Sequence, residues 1–408
     1  MLLTFDQAKQ KILQACTTVK SLEHETVLLN DALDRITALP IISPINVPRF
    51  DNSAMDGYAV RLADVEKSRT LPVSKTVYAG DDISDLNWSI GSCLRIMTGA
   101  PVPNDADAVV MQEHTQATGQ HITFLKDIKA GDNIRRIGED IKKDAVTVAK
   151  GQRLSIPILS TLATLGIHQV CVYRKLNVAI FSTGNELTSI GKPLTDNGAI
   201  YDSNGFTLKQ LLTKLNCQVI DLGIIPDDPN QIKQALMTAS TQADLIITSG
   251  GVSVGDADYT KTALEELGQI NFWKIAMKPG KPFAFGQIGK ALFCGLPGNP
   301  VSTVVTFYQL VQPLILTLAG QQTLSEDLTF QVKTVTDLKK SVGRIDFQRG
   351  RVQPNDQGEL EVKSTGQQGS HITQSFNKAN CFIILEQERG NVSKGEFVTV
   401  TLFNDLLK

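Results

Sequence analysis

Histidine is scarce and tryptophan scarcer, five and two among 408 residues. With so few imidazoles, none set in a local motif around a nucleophile, no Ser-His-Asp or Cys-His arrangement can be inferred, and covalent catalysis is not favoured. The six cysteines, Cys16, Cys93, Cys171, Cys217, Cys294 and Cys381, come no closer than the 46 positions between Cys171 and Cys217. That spacing excludes CxxC zinc patterns and reads as scattered reduced thiols. An excess of either charge is missing too, with 40 Lys and Arg against 42 Asp and Glu, a net charge of -2. No basic field exists to hold nucleic acid or an anionic membrane. The most apolar stretch, Val304 to Ala319, is broken by Gln309, Gln312 and Pro313, and the opening MLLTFDQAKQ has no basic n-region followed by an apolar h-region. A cytoplasmic protein without a membrane span is expected. Neither a repeat nor a low-complexity tract is visible, so a solenoid is not expected.

What the chain does have is length for roughly two to four domains, a hydrophobic fraction of 42% and 31 glycines with 16 prolines. Residues 5 to 36 read as two helices separated near Ser21, with Ala8, Ile12, Ala15 and Val19 on one face. From Pro40 to about Asp140 short β-like runs follow, such as Cys93 to Met97 and Ala108 to Met111, punctuated by Pro, Gly, Asn and Asp. A helical pattern returns at Leu154 to Leu165, which makes the β region an insertion. From Leu176 strands and helices alternate: Val178 to Phe181, the face Leu208, Leu211, Leu212 and Leu215, then Val219 to Leu222, a second helix, Leu245 to Thr248 and a third helix. Such order implies a parallel sheet covered by helices. A helix from Pro300 to Leu318, kinked at Pro313, closes it, and short strands resume after Gln321. The expected division is 1–50 with 142–175, an inserted β domain at 51–141, an α/β domain at 176–322 and a β domain at 323–408.

In open parallel sheets ligands bind beyond the carboxyl ends of the strands. One such loop carries Ser182, Thr183, Gly184, Asn185 and Glu186, and another reads TSGGVSVGDAD with Gly250, Gly251, Ser253 and Asp258. Small hydroxyl and glycine residues let backbone N–H groups approach an oxyanion, as in a phosphate cradle. Asp256 and Ala257 stand where a P-loop requires Lys and Ser/Thr, so a Walker A site is excluded. Tight turns with Asp256 or Asp258 as a helix cap are the bland alternative. The segment KIAMKPGKPFAFG then places Lys274, Lys278 and Lys281 around Pro279 and Gly280 as a loop on the same edge. These lysines can neutralise an oxyanion while Glu186, Asp227 and Asp258 hold a magnesium ion that bridges phosphates. A unit-charge pair at about 4 Å is worth roughly 4 kcal/mol at an effective dielectric near 20. A fourth loop, CGLPGNPVS, offers Pro297, Gly298 and Asn299, as contacts or as turn punctuation. Elsewhere DNSAMDGY, MTGAPVP, NIRRIGED, GRIDFQRG and GQQGSH add carboxylates, guanidinium and hydroxyl groups.

Taken together, FDNSAMDGYA, RIMTGAPVP, NIRRIGED, FSTGNEL, SGGVSVGDADYTK, MKPGKPFAFG, GLPGNPVS and DFQRG with GQQGSH resemble one family along the whole chain, the MoeA family of molybdopterin molybdenumtransferases, related to the E domain of gephyrin. The resemblance implies a multi-domain α/β plus β fold: an elongated N-terminal domain, an inserted β domain, a MogA-like α/β domain and a C-terminal β-barrel. It implies insertion of molybdenum from molybdate into adenylylated molybdopterin, dependent on Mg2+ and releasing AMP. A homodimer with a cleft shared between subunits is implied, and a molybdopterin adenylyltransferase and molybdoenzyme maturation factors as partners. By motif, Glu186, Asp227 and Asp258 resemble the acidic residues around metal and phosphates, and Lys274 and Lys278 essential pocket lysines. Lys278, Lys281, Arg349 and Ser370 would receive molybdate, while Asp56, Thr98, Arg135 and Asp140 resemble the contribution of the inserted domain from the partner. Asn185 stands where many relatives carry Asp. An adenylyltransferase and a non-catalytic scaffold are the rival classes.

Overall fold

The computed structural model describes residues 2–16, 22–194, 196–251, 259–323 and 328–408. They fall into two compact units, Met1–Ala38 with Gly151–Ser155 and Cys171–Lys408, and Leu39–Lys150 with Ile156–Val170. In the first unit, α1 (Phe5–Cys16) buries Ala8 and Ile12. The second helix expected before residue 36 is a strand instead, His24–Leu28, followed by a single 3-10 turn, Leu29–Asp31. The β-branched pair Thr26 and Val27 favours extended backbone, and the leucines after it imitate a helical spacing without forming one. Where the chain leaves this unit and where it re-enters, the backbone pairs with itself: Asp34 N–H donates to Leu154 O at 2.9 Å and Thr37 N–H to Gln152 O at 3.1 Å.

The α/β region alternates as its hydrophobic periodicity predicts: β1 (Asn177–Thr183), α2 (Ser203–Lys214), β2 (Gln218–Ile225), α3 (Pro229–Gln242), β3 (Leu245–Ser249), α4 (Tyr259–Leu267) and β4 (Gly268–Lys274). Next come β5 (Met277–Lys278), β6 (Pro282–Ile288) and β7 (Ala291–Leu296). The sheet order is β2-β1-β3-β7-β6-β4. β2, β1, β3 and β7 are mutually parallel, whereas β6 runs antiparallel to β7 and to β4. So KIAMKPGKPFAFG, expected to be a loop, is not a single loop: its second half is β6. Gly289 and Lys290 alone separate β6 from β7, too few residues for a crossover, and a hairpin follows.

One face of the sheet packs under α1, α2 and the long C-terminal helical run, the other under α3 and α4. That run is α5 (Pro300–Thr306), a π-helical turn (Phe307–Val311) and α6 (Gln312–Leu318). Pro313 has no N–H to bond the carbonyl of Gln309, and the widened turn precedes it. Pro300–Leu318 is apolar and long enough to cross a membrane, but 72% of it is buried in the protein. Val301, Val305, Phe307, Leu310, Leu314 and Ile315 make it a core helix.

The C-terminal region holds β8 (Thr329–Thr334), β9 (Ile345–Pro354), β10 (Leu360–Ser364), the short α7 (Gln374–Lys378), β11 (Cys381–Leu385) and β12 (Phe397–Leu402). The order β9-β10-β8-β12-β11 closes through a β9–β11 pairing into a five-stranded barrel. β5 adds to it in parallel alongside β9. In the second unit a six-stranded sheet runs Ala108–Met111, Gly57–Val60, Cys93–Ile96, Thr70–Val77, His121–Phe124 and Thr115–Thr118. Its two faces bury separate apolar clusters, one around Leu94, Ile96 and Val109 and one around Leu71, Ile122 and Phe124.

Candidate functional site

The carboxyl ends of β1 and β3 finish in buried hydroxyl residues, Ser182 and Thr183, Thr248 and Ser249. Among the described residues, the hydroxyls of Ser182, Thr183, Thr248 and of Thr260 on α4 find no hydrogen-bond partner. A buried polar group left unpaired costs about 1–3 kcal/mol, so three at one sheet edge, with Thr260 beside Gly251, mark a place built for a polar ligand. After β3 the backbone turns through Gly250 and Gly251 at φ +86° and +64°, and a Cβ on Gly250 would lie 2.6 Å from Thr183 O. Only glycine fits there. Across the gap α2 begins: Asp202 accepts from Gly205 N–H at 2.8 Å, and Asn204 Nδ2 donates to Ser249 Oγ at 2.8 Å and to Gly298 O at 2.7 Å. Here lies a cavity of about 560 Å³, lined by Thr183, Gly184, Gly250, Gly251, Pro297, Gly298 and Asn299 among others.

Glu186 and Asp227 also line this cavity. Asn185 N–H donates to Asp227 Oδ2 at 3.3 Å and Asp227 N–H to Asn185 Oδ1 at 3.1 Å, so Asn185 acts as a clamp on the neighbouring carboxylate. Ser253 and Asp258 lie outside the described residues. Among the described residues no three His, Cys, Asp or Glu side chains gather as a metal cage. Two carboxylates beside this cavity nevertheless fit magnesium, which keeps waters and takes one or two protein carboxylates plus substrate phosphates. All six cysteines are free thiols, and burial pushes Cys93, Cys217 and Cys381 up to about 12, which leaves them poor nucleophiles.

The three lysines expected on this edge do not line the cavity. Lys274 is exposed at the end of β4, and Lys281 is exposed, with its carbonyl accepting from Ile275 N–H at 3.0 Å. Lys278 Nζ lies 3.3 Å from Asp346 Oδ2 on the barrel. Arg349 is fully buried, its Nε donating to Ser375 Oγ at 3.0 Å and Nη2 to Gly369 O at 3.2 Å, and burial pulls its pKa down to about 10. Ser370 O accepts from Val301 N–H at 3.0 Å, at the start of α5.

In the second unit, Asp56 Oδ1 accepts from Thr98 N–H at 2.7 Å and Thr98 Oγ1 at 2.8 Å. Those two bonds, backbone first, hold the exposed carboxyl below its usual range, with Arg95 adding to the effect. Asp51 pairs with Arg136 at 2.6 Å, as a local bridge across NIRRIGED. Arg135 is exposed and stands opposite Asn52 in a two-residue ladder, while Asp140 is exposed, its N–H donating to Val47 O at 3.0 Å.

Three family models cover nearly all of the chain: the MoeA N-terminal region (domain I and II) at residues 3–166, a probable molybdopterin binding domain at 179–317 and the MoeA C-terminal region (domain IV) at 331–403. A molybdopterin molybdenumtransferase of Haemophilus influenzae is 55% identical over 407 residues, 100% of each chain. This chain belongs to the MoeA family. Gephyrin of Dictyostelium discoideum is 33% identical, covering 98% of this chain and 62% of gephyrin. The crystal structure of a molybdopterin biosynthesis MoeA protein from Pyrococcus horikoshii superimposes with a TM-score of 0.82 at 28% identity, over 99% of this chain and 100% of that one.

Within this MoeA chain the sequence reading overlooks YDSNG, whose Asp202, Ser203 and Asn204 line the cavity. A signal was available, since Asp followed by Ser and Asn before an apolar periodic run is a helix start, and a helix start on the ligand edge is a place to look.

Proposed function

We propose that this chain is a molybdopterin molybdenumtransferase, transferring molybdenum from molybdate to adenylylated molybdopterin with release of AMP. The observation that carries the reading is the 560 Å³ cavity, lined by Thr183, a glycine turn and two carboxylates, in a chain with 55% identity to a molybdenumtransferase along its whole length. The backbone at Gly250 and Gly251 and the start of α2 would take the pterin phosphates, with Thr183 and Ser182 donating to their oxygens. Asn204 fixes the wall formed by Gly298, and Asn185 keeps Asp227 aimed at the cavity. Glu186 and Asp227, with Asp258, would hold magnesium, which when bound supplies charge neutralisation at the phosphates. Lys278, with Lys281, Arg349 and Ser370, binds the tetrahedral molybdate dianion through cationic and hydroxyl donors, and Lys274 adds positive charge. No protein nucleophile takes part.

Asp56, Thr98, Arg135 and Asp140 complete the site in a homodimer, a reading supported by the spread of polar motifs over distant parts of the sequence. Light scattering at twice the 44.4 kDa chain mass is expected, and a monomer would overturn the shared site. The domain division 1–50 with 142–175, 51–141, 176–322 and 323–408, and a cytoplasmic location, belong to the same proposal. The decisive assay follows AMP and active cofactor formed from adenylylated molybdopterin by the purified protein. Both products should require molybdate and magnesium, and Lys278→Ala should lower turnover at least tenfold without unfolding the protein. Pterin binding with neither product would refute the enzyme reading.

A further inference from the structure

Asp346 opens the DFQRG segment and is 3% exposed on β9. It stands opposite Lys278 of β5 in parallel register, a placement fixed by Ile345 N–H donating to Ala276 O at 3.0 Å. Its Oδ2 pairs with Lys278 Nζ at 3.3 Å and accepts from Gln348 Nε2 at 3.2 Å. Gln348, itself buried, donates also to Lys339 O at 3.0 Å and so holds the carboxylate in place.

Two further cations feel the same carboxylate. Lys340 is buried, its ammonium donating to the carbonyls of Ser341, Gln387 and Arg389. Burial pulls its pKa down, and Asp346 is the foremost charge opposing that, followed by the exposed Glu386 and Glu388. Arg349 is fully buried, and Asp346 again opposes the effect of burial. Among the described residues of the barrel, the buried charged side chains are two cations, Lys340 and Arg349, and one acid, Asp346, which is also the ion-pair partner of Lys278. A desolvated cation without a counter-charge is costly, and the shortfall is what an entering oxyanion would make good.

We infer that Asp346 sets the affinity of this cluster for its oxyanion, standing in for the anion's charge beside Lys278 when the site is empty and competing with it when it is filled. The inference rests on the reading that Lys278 receives the oxyanion. Asp346 has two opposed effects. It orients the half-exposed Lys278, which favours binding, and it repels any anion that the same ammonium takes up, which disfavours it. A dianion doubles the repulsion, whereas releasing Lys278 restores no more than one side chain's rotamer freedom, so repulsion dominates.

The test is equilibrium dialysis of molybdate against the purified full-length protein and two variants. Asp346→Asn keeps the shape and Gln348 contact and is expected to bind molybdate at least tenfold more tightly, with a lower melting temperature in its absence and a larger rise on its addition. A purely structural residue would lower the melting temperature without tightening binding, and unchanged or weaker binding overturns the inference. Lys278→Ala should weaken binding at least tenfold. If it does not, the reading of Lys278 itself fails, whatever Asp346→Asn does. Should Asp346→Asn be unfolded alone, saturating molybdate should restore a cooperative melt, and no recovery overturns the inference.

Discussion

Replacing Gly250 with alanine tests whether the cavity edge is as tightly built as the geometry states. Two costs separate at this position. At φ +86° an L-residue pays roughly 1–2 kcal/mol for the left-handed backbone alone. The new Cβ would also stand 2.6 Å from Thr183 O and 3.1 Å from Thr183 Oγ1, and because the nearer atom is backbone, no rotamer change relieves it. Overpacking of this kind adds about 1–3 kcal/mol. Gly358 isolates the first cost: its φ is +81°, yet nothing lies within 4 Å of its Cβ position. Both glycines belong to the same compact unit. Urea unfolding should therefore place Gly358→Ala about 1–2 kcal/mol below the parent and Gly250→Ala about 2–5 kcal/mol below it. Gly250→Ala should further lose AMP release, while Gly358→Ala keeps it. Equal destabilisation of the two would refute the close approach of Gly250 to Thr183, and with it the glycine requirement at the cavity.

Two other expectations follow from hydrogen bonds at Asn204 and Asp56. Asn204→Ala removes the link from α2 to both Ser249 and Gly298, two bonds at about 0.5–1.5 kcal/mol each, so the KM for adenylylated molybdopterin should rise about tenfold. An unchanged KM would mean that the cavity wall holds without it. Asp56 has its folded pKa depressed by Thr98, so the stability it contributes is present above the ordinary carboxylate range and is lost as pH falls through the lowered value. Acid unfolding should become shallower below about pH 4 in Asp56→Asn, with Thr98→Val intermediate because the backbone N–H remains. Matching acid profiles for all three proteins would rule the bond out as a source of stability.

Periodicity made the α/β core legible, because β1, α2, β2, α3 and β3 each repeat one hydrophobic spacing over a whole element. The reversal at β6 was not legible in the same way. A buried strand such as PFAFGQI lacks alternation, and its direction is decided by the two-residue connection to β7 rather than by its own residues. The second half of the 5 to 36 segment failed for a related reason, since a five-residue strand gives too few positions to separate period 2 from period 3.6. In the candidate site the glycines, hydroxyls and Glu186 announced themselves by residue type and loop position. The lysines announced only their charge. The place of Lys278 depended on which acid the barrel would set opposite β5, and the pairing of β5 with β9 joins segments distant in sequence.

That pairing bears on why an apolar core helix carries buried hydroxyls at its start. Thr303 Oγ1 donates to Pro297 O at 2.6 Å, holding the turn whose Pro297 and Gly298 line the cavity. Two residues earlier, Val301 N–H donates to Ser370 O, which seats the barrel loop carrying GQQGSH on the same helix turn. One turn later Thr306 Cγ2 would lie 2.8 Å from a Cβ on Gly280, so the Lys278–Lys281 segment can pass only as glycine at φ +110°. The first two turns of α5 thus touch three segments from different parts of the sequence: one that lines the 560 Å³ cavity, one that bears Ser370 and one that follows Lys278. A helix chosen for packing alone would be apolar throughout. Of the hydroxyl residues buried there, Thr303 holds the cavity turn, while the Thr306 hydroxyl donates back to Ser302 O and Thr303 O within the helix and leaves its methyl against Gly280.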